Sequence, residues 1–475
     1  MRLEEYIQRI QPTFSNSDDL ILRELTIANA RALIAFLDGG SDKALLDRDI
    51  ITPLLSLENL EDPHDTSIQN AVKYCENMKV VPICNSPQNI AEGDVALVID
   101  GDDDAYVFSL RSVEKRSIAE PPTESVMKGP REGFIEEIKS NLSLLRRRLK
   151  TPALSVKMMK VGRFSGTSVA VLHIDGVADK KIVDEITEKI SKIDVDGVID
   201  SAYVVSFIQP KKRSFFLQAG TTEKPDVATA KLLEGRIVIL VDGSPIAITL
   251  PYIIFEDVQD GYDYYSEDWR ASIIRVFRLL GALLTILLPG AYVALQTFHY
   301  SLLPLKFLTT LLAATNGIPF PPAIEMLIVL TLFEILNQAS IRMPRYFGIS
   351  LSVVGAIVLG DTAVKAGLIS SPSVLIIALS AIGIFCVPDQ VGVVSILRLL
   401  FLLVSAVLGF VGIVLLLIVI VGYLASLDNF GTPYLAPYAP RITPDLKDGF
   451  LKVGDSEMET RPYSIPTSNR TRSKK

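Results

Sequence analysis

Between Leu279 and Leu424 this 475-residue chain carries only nine charged side chains: Glu325, Glu334, Asp361, Asp389, Lys306, Arg342, Arg345, Lys365 and Arg398. An ionised group in hydrocarbon is costly unless it faces protein or water, so each is a candidate for function. At 100° per residue, Ser350, Val354, Ile357, Asp361 and Lys365 share one helix face, and Gly348, Ser352 and Gly355 share the opposite face. A strip with hydroxyl, apolar and ionic layers in order suits a pore, with an apolar collar that can dewet beside a charged ring that selects ions. Small residues on the back let neighbouring membrane helices approach closely. The simpler alternative is that Asp361 and Lys365 form an i,i+4 pair at a helix end near the interface.

Other chemistry is scarce. Cys75, Cys84 and Cys386 have neither a disulfide framework nor a zinc spacing, and His64, His173 and His299 are scattered. The run Gly101-Asp-Asp-Asp104 lacks the terminal Glu of a calcium loop and reads as an acidic hairpin turn. No Walker or dinucleotide glycine spacing occurs, and no nucleophile–base pair is visible. The expectation is no metal, no cofactor and no enzymatic activity. With 47 Lys plus Arg against 54 Asp plus Glu, a net charge of −7 offers no basic footprint for nucleic acid.

The elements that must position these residues form two materials. A mean hydropathy of +0.35 at 21% charged residues is odd for a soluble protein. It resolves into a polar leading part and an apolar trailing part. Residues 1–120 read as a first α/β subdomain. Ser15-Asn-Ser-Asp-Asp19 starts a helix through Ile21, Leu25 and Ala28, and strands follow at 33–37 and 94–100. Residues 121–132 are a Pro-rich linker. Residues 133–270 form a second α/β subdomain. Phe134, Ile138, Leu142, Leu145 and Leu149 line one helix face, and Arg146, Arg147, Arg148 and Lys150 close that helix, either complementing its dipole or contacting anionic lipid or a partner. A strand at 168–174, an amphipathic helix at 180–193, a strand near 197–205 and a strand at 236–242 complete it.

An all-α, multi-span membrane domain follows over 271–427, and residues 428–475 read as a cytoplasmic, partly disordered tail. The spans fall at 279–298, 319–339, 347–366, 374–387 and 393–424. The first is kinked or re-entrant at Pro289-Gly290. The second, with Glu325 and Glu334, is bundle-interior, interfacial or broken. The last is long enough to tilt. Arg270, Arg275 and Arg278 hold the leading domain in the cytoplasm, Arg342, Arg345 and Arg398 mark cytoplasmic loops, and the N-terminus lacks the apolar core of a signal peptide. Four spans plus one irregular segment place both termini inside, whereas five place the tail outside.

Several stretches resemble one family. They are GFIEEIKSNLSLLRRRLKTP (133–152), TTEKPD (221–226), LLEGRIVILVDGSP (232–245), PFPP with Glu325, FEILNQASIRMP (333–344), GDTAVKAG (360–367) and FGTPYLAP (430–437). In order from 133 to 440, they resemble the A subunit of GerA-type spore germinant receptors. The family-motif residues are Glu223, Lys224, Pro225, Asp226, Glu234, Gly235 and Arg236. The resemblance implies a place in the inner spore membrane beside a permease-like B subunit and a lipoprotein C subunit. It also implies self-association in a ring, with five copies as one expectation, that passes monovalent cations at the start of germination. Germinant recognition in such receptors is attributed chiefly to the B subunit. A related branch linked to dipicolinic-acid release, and a non-conducting scaffold for the B and C subunits, stay open. Lys224 stands where the family's motif usually has Arg, which weakens any bidentate carboxylate binding there.

Overall fold

The computed structural model describes residues 2–28, 30–57, 72, 78–110, 121, 124, 128–212, 214–342 and 361–473. Two five-stranded antiparallel sheets form the leading half. The first, ordered β1-β2-β4-β5-β3, comprises β1 (Leu20–Ile27), β2 (Ala30–Leu37), β3 (Met78–Pro82), β4 (Val95–Ile99) and β5 (Asp104–Phe108), with α1 (Leu3–Thr13) on one face. Apolar cores cover both faces, which is why β4 reads as the unbroken run VALVI with every residue buried. The aspartates at 100–103 lie in the β4–β5 turn, where Gly101 takes φ +88°.

The helix expected from Ser15-Asn-Ser-Asp-Asp19 is not there. Ser15 and Asn16 have positive φ and end α1, and residues 20–27 pair with β2 along their whole length. The polar run straps the two subdomains together instead. Asp18 N–H donates to Val156 O at 2.9 Å and Val156 N–H to Ser17 Oγ at 2.8 Å. Eight cross-strand pairs outweigh local capping preference.

The second sheet, ordered β6-β7-β9-β10-β8, comprises β6 (Leu154–Val161), β7 (Thr167–Ile174), β8 (Gly220–Thr222), β9 (Ile237–Val241) and β10 (Ala247–Leu250). Around it pack α2 (Ile138–Arg148), α3 (Lys180–Ser191), α4 (Ser201–Ile208) and α5 (Pro225–Leu233). The strand expected near 197–205 is instead α4. Asp200 caps it by accepting from Ala202 N–H at 2.9 Å, and this cap outweighs the β-branched content of the segment. At the cationic end of α2, Arg146, Arg147 and Arg148 all pair with acids of the chain, while Arg147 and Lys150 stay exposed. Arg146 is buried and grips Asp19 through Nε (2.9 Å) and Nη2 (2.8 Å), while Arg147 and Arg148 both reach Glu132.

Three described helices are long and apolar enough to cross a membrane: Asp268–Thr297, Pro322–Ser340 and Pro388–Ala425. The first, α6 (Asp268–Thr297), runs unbroken through Pro289 rather than re-entering. After α7 (Leu305–Thr315), a short apolar helix absent from the sequence reading, come α8 (Pro322–Arg342) and α9 (Ser371–Gly383). The last, α10 (Val391–Ala425), is not one tilted span. At Gly409 the backbone takes φ 60°, ψ −143°. A Cβ on Gly412 would lie 2.9 Å from Val404 O, whereas eight residues of straight helix span about 12 Å. Val393 and Leu397 also share a cluster with Ile420 and Leu424. The element is therefore a hairpin of two antiparallel arms. Its tip meets Phe298 and His299 past the end of α6, and both feet return to the second subdomain.

The tail, expected to be partly disordered, folds back onto the structure up to residue 473. Arg275 Nη1 donates to Asp448 Oδ1 (2.9 Å) and Gly449 O (2.8 Å), Lys452 Nζ to Asp268 Oδ1 (2.7 Å), and Ser468 N–H to Val177 O (2.9 Å). Polar composition was misleading here because this segment is held by ion pairs and backbone hydrogen bonds rather than by an apolar core of its own.

Candidate functional site

Residues 221–226 link β8 to α5. Thr222 Oγ1 accepts from Lys224 N–H at 3.1 Å and donates to Glu124 Oε2 at 2.7 Å, while Pro225 opens α5 at the position where a missing N–H costs nothing. The Lys224 side chain is 2% exposed, with Nζ 3.3 Å from Asp226 Oδ2, which also accepts from Tyr265 Oη at 2.7 Å. Among the described residues Lys224 Nζ and Asp226 Oδ1 have no hydrogen-bond partner. Both residues line a cavity of about 600 Å³, whose wall also includes Glu124, Tyr252, Asp257 and Asp389.

Around Arg236 the sequence builds a buried ionic knot. Its Nε donates to Glu234 Oε2 at 2.9 Å and its Nη1 to Pro251 O at 2.7 Å and to Glu256 Oε1. Lys231 Nζ reaches the other Glu256 oxygen at 2.8 Å. Burial pushes the Glu256 carboxyl up, but Arg236 and Lys231 together hold it below the usual range. Gly235 takes φ +95°, and a Cβ there would stand 2.5 Å from Thr467 Cγ2, so the glycine seats the tail.

One step along the chain, Asp257 touches the membrane part. Gln390 Nε2, just ahead of the first arm of α10, donates to Asp257 Oδ2 (2.8 Å) and to Tyr252 Oη (3.1 Å). Burial raises Asp257 to about 7, and burial likewise raises Glu124 to about 7. Neither residue was singled out from sequence, and nothing local marks them. Asp263 adds the second link, accepting from Arg275 Nε at 3.0 Å and from both ends of the Arg278 guanidinium at 2.8 and 3.0 Å.

Inside the helical bundle, Glu325 is buried and accepts from Ser370 N–H and Ser370 Oγ, each at 2.7 Å, tying the start of α8 to the cap of α9. Arg398 is fully buried within α10 and does not mark a loop, as the sequence reading had it. It donates to Glu334 Oε2 at 3.0 Å and to Ser380 Oγ at 3.3 Å, and Ser380 Oγ in turn donates a hydrogen bond to Thr285 O at 2.7 Å. Of the proposed pore strip, Asp361 and Lys365 form an exposed i,i+4 pair at 2.8 Å. Ser350, Val354 and Ile357, with Gly348, Ser352 and Gly355, lie outside the described residues. Among the described residues no group of three His, Cys, Asp or Glu side chains could hold a metal ion.

Comparison with known proteins places this arrangement. A family profile described as Bacillus/Clostridium GerA spore germination protein matches residues 8–464.

The chain belongs to the GerA spore germination family.

Spore germination protein KA of Bacillus subtilis (strain 168) is 34% identical over 99% of this chain and 88% of its own length. Spore germination protein GerLA of Bacillus cereus is 31% identical over 99% and 96% respectively. The crystal structure of the N-terminal domain of the A subunit of the Bacillus megaterium spore germinant receptor GerK3 is 28% identical, with a TM-score of 0.43, over 53% of this chain and 96% of that one. The residues expected from the resemblance as family-motif residues, Glu223 to Asp226 and Glu234 to Arg236, sit where the second subdomain, the tail and the apolar helices meet.

Proposed function

We propose that this GerA protein is the A subunit of a nutrient germinant receptor in the inner spore membrane. In this reading its soluble subdomains face the cytoplasm, its partners are a permease-like B subunit and a lipoprotein C subunit, and several copies, five by the family resemblance, form a ring that passes cations when the receptor is triggered. One contrast supports the channel. Glu325, Glu334 and Arg398 are held by partners within the bundle, but Asp361 and Lys365 are 59% and 75% exposed and, among the described residues, pair with each other. A charged pair in an apolar segment, turned away from its own bundle, is what a water-filled axis between copies would require. Glu223, Lys224, Pro225 and Asp226, with Glu234, Gly235 and Arg236, serve in this reading as the coupling surface between the soluble part and the helices.

The test is ion flux. Purified oligomers in liposomes pass K⁺ or Na⁺, and substitution of Val354 or Asp361 changes the current. Variants at both positions that conduct like the parent exclude the pore assignment. A single A chain in the native receptor would favour a non-conducting scaffold, since one copy leaves no axial hole.

A further inference from the structure

Between α4 and β8 the described residues 209–212 and 214–218 are drawn into a closed loop. Gln218 is buried and clamps its neck, accepting from Lys211 N–H at 2.9 Å and donating to Lys211 O at 2.8 Å. Tyr434 Oη donates to Leu217 O at 2.6 Å, and Phe216 N–H donates to Ser214 Oγ at 3.1 Å. The loop is thus held from inside. It rests on the foot of the second arm of α10. Lys211 Nζ lies 4.5 Å from the centre of the Tyr423 ring, Phe216 packs beside that ring at 6.1 Å, and Tyr423 Oη approaches Ser214 Oγ at 3.3 Å.

What the loop presents outward matches a bilayer surface. Phe215 is 72% exposed at the tip, and just up the arm Ile418, Val419 and Val421 are exposed apolar residues. Lys211 and Lys212 are exposed and form no ion pair among the described residues, and the stretch from Gln209 to Gln218 contains no acid. A tyrosine at a helix end, an apolar tip and unpaired cations are the chemistry of the headgroup layer. The sequence had offered Arg146 to Arg148 for this role, but those cations are taken by Asp19 and Glu132.

We propose that this loop, through its described residues 209–212 and 214–218, is an interfacial anchor that inserts Phe215 between lipids and gathers anionic headgroups with Lys211 and Lys212. The inference rests on reading α10 as a membrane hairpin and is independent of ion conduction. The chain has one tryptophan, Trp269, so a Phe215→Trp, Trp269→Phe variant reports the loop tip alone. The full chain is placed in nanodiscs containing headgroup spin-labelled phosphatidylglycerol or, separately, spin-labelled phosphatidylcholine at equal mole fraction. The expected result is blue-shifted emission and stronger quenching by the anionic label. Lys211→Gln with Lys212→Gln removes that preference, by about fivefold per lysine. Emission at the position of hydrated tryptophan, unquenched by either lipid, overturns the anchor. Equal quenching by both lipids, unaffected by the lysine changes, overturns the headgroup preference.

Discussion

Arg398 Nη2 lies 3.0 Å from Glu334 Oε2, with the guanidinium fully enclosed and the carboxylate one-third exposed, so the first arm of the α10 hairpin is pinned to α8 by charge. Removing one partner leaves the other uncompensated, which costs about 3–5 kcal/mol for buried pairs. Arg398→Leu is expected to lower the thermal stability of the detergent-solubilised protein markedly, and Arg398→Leu with Glu334→Leu to recover most of the loss. Equal destabilisation by the single and double variants would show that packing, not charge, holds this contact.

The reversal at Gly409 makes a second prediction. Its φ and ψ lie in a region open almost only to glycine, and a Cβ would approach His299 Cε1 at 3.0 Å. Gly409→Ala is expected to cost about 1–3 kcal/mol in thermal unfolding. Leu408→Cys, in a background without native cysteines, should be labelled by an impermeant maleimide from the side opposite to Asp428→Cys. Labelling of both from one side contradicts the hairpin.

The junction carboxyls imply a pH effect of definite sign. Asp257 and Glu124 are raised to about 7 in the fold, chiefly by burial, against about 4 when unfolded. Between those values the native state keeps a proton that the unfolded chain has released. Stability from these groups is therefore fully present below about pH 4 and declines as pH rises toward 7, by at most about 1.4 kcal/mol per pH unit for each group. Asp257→Asn and Glu124→Gln should each flatten the stability curve over that window and raise stability at pH 8. A curve as steep as the parent's assigns the titration elsewhere.

Gly235 governs how the tail is seated. Gly235→Ala must bear φ +95° and a clash with Thr467, an expected cost of about 1 kcal/mol or more. Limited trypsin digestion of the variant should cut earlier after Arg470 and Arg472 than in the parent, with the membrane helices still intact. Unchanged cleavage would mean that the tail is held without this contact.

Much of the fold was legible because burial on both faces writes itself as continuous apolar runs, as in β4 and β9, and because amphipathic spacing marks α2 and α3. Residues 20–27 were read as helix because Ile21 and Leu25 also fit a helical period, and only pairing with β2 decides. The tail was misread because its partners, Asp268, Arg275 and Val177, lie far away in sequence. Motif residues such as Lys224 and Arg236 were legible by resemblance. Asp257 and Gln390 were not, since each is an ordinary polar residue until the fold brings them to 2.8 Å. Arg398 illustrates a different failure, because charge-counting rules treat every arginine as exposed, and this one is enclosed.

Because α10 doubles back, its two feet stand on the same subdomain: Gln390 on Tyr252 and Asp257, Leu424 and Leu427 against Phe216 and Tyr434. A turn of that subdomain cannot push one foot without carrying the other. In the proposed channel reading the pair is a tiller, which would convert rotation of that subdomain into a sideways sweep of the Gly409 tip.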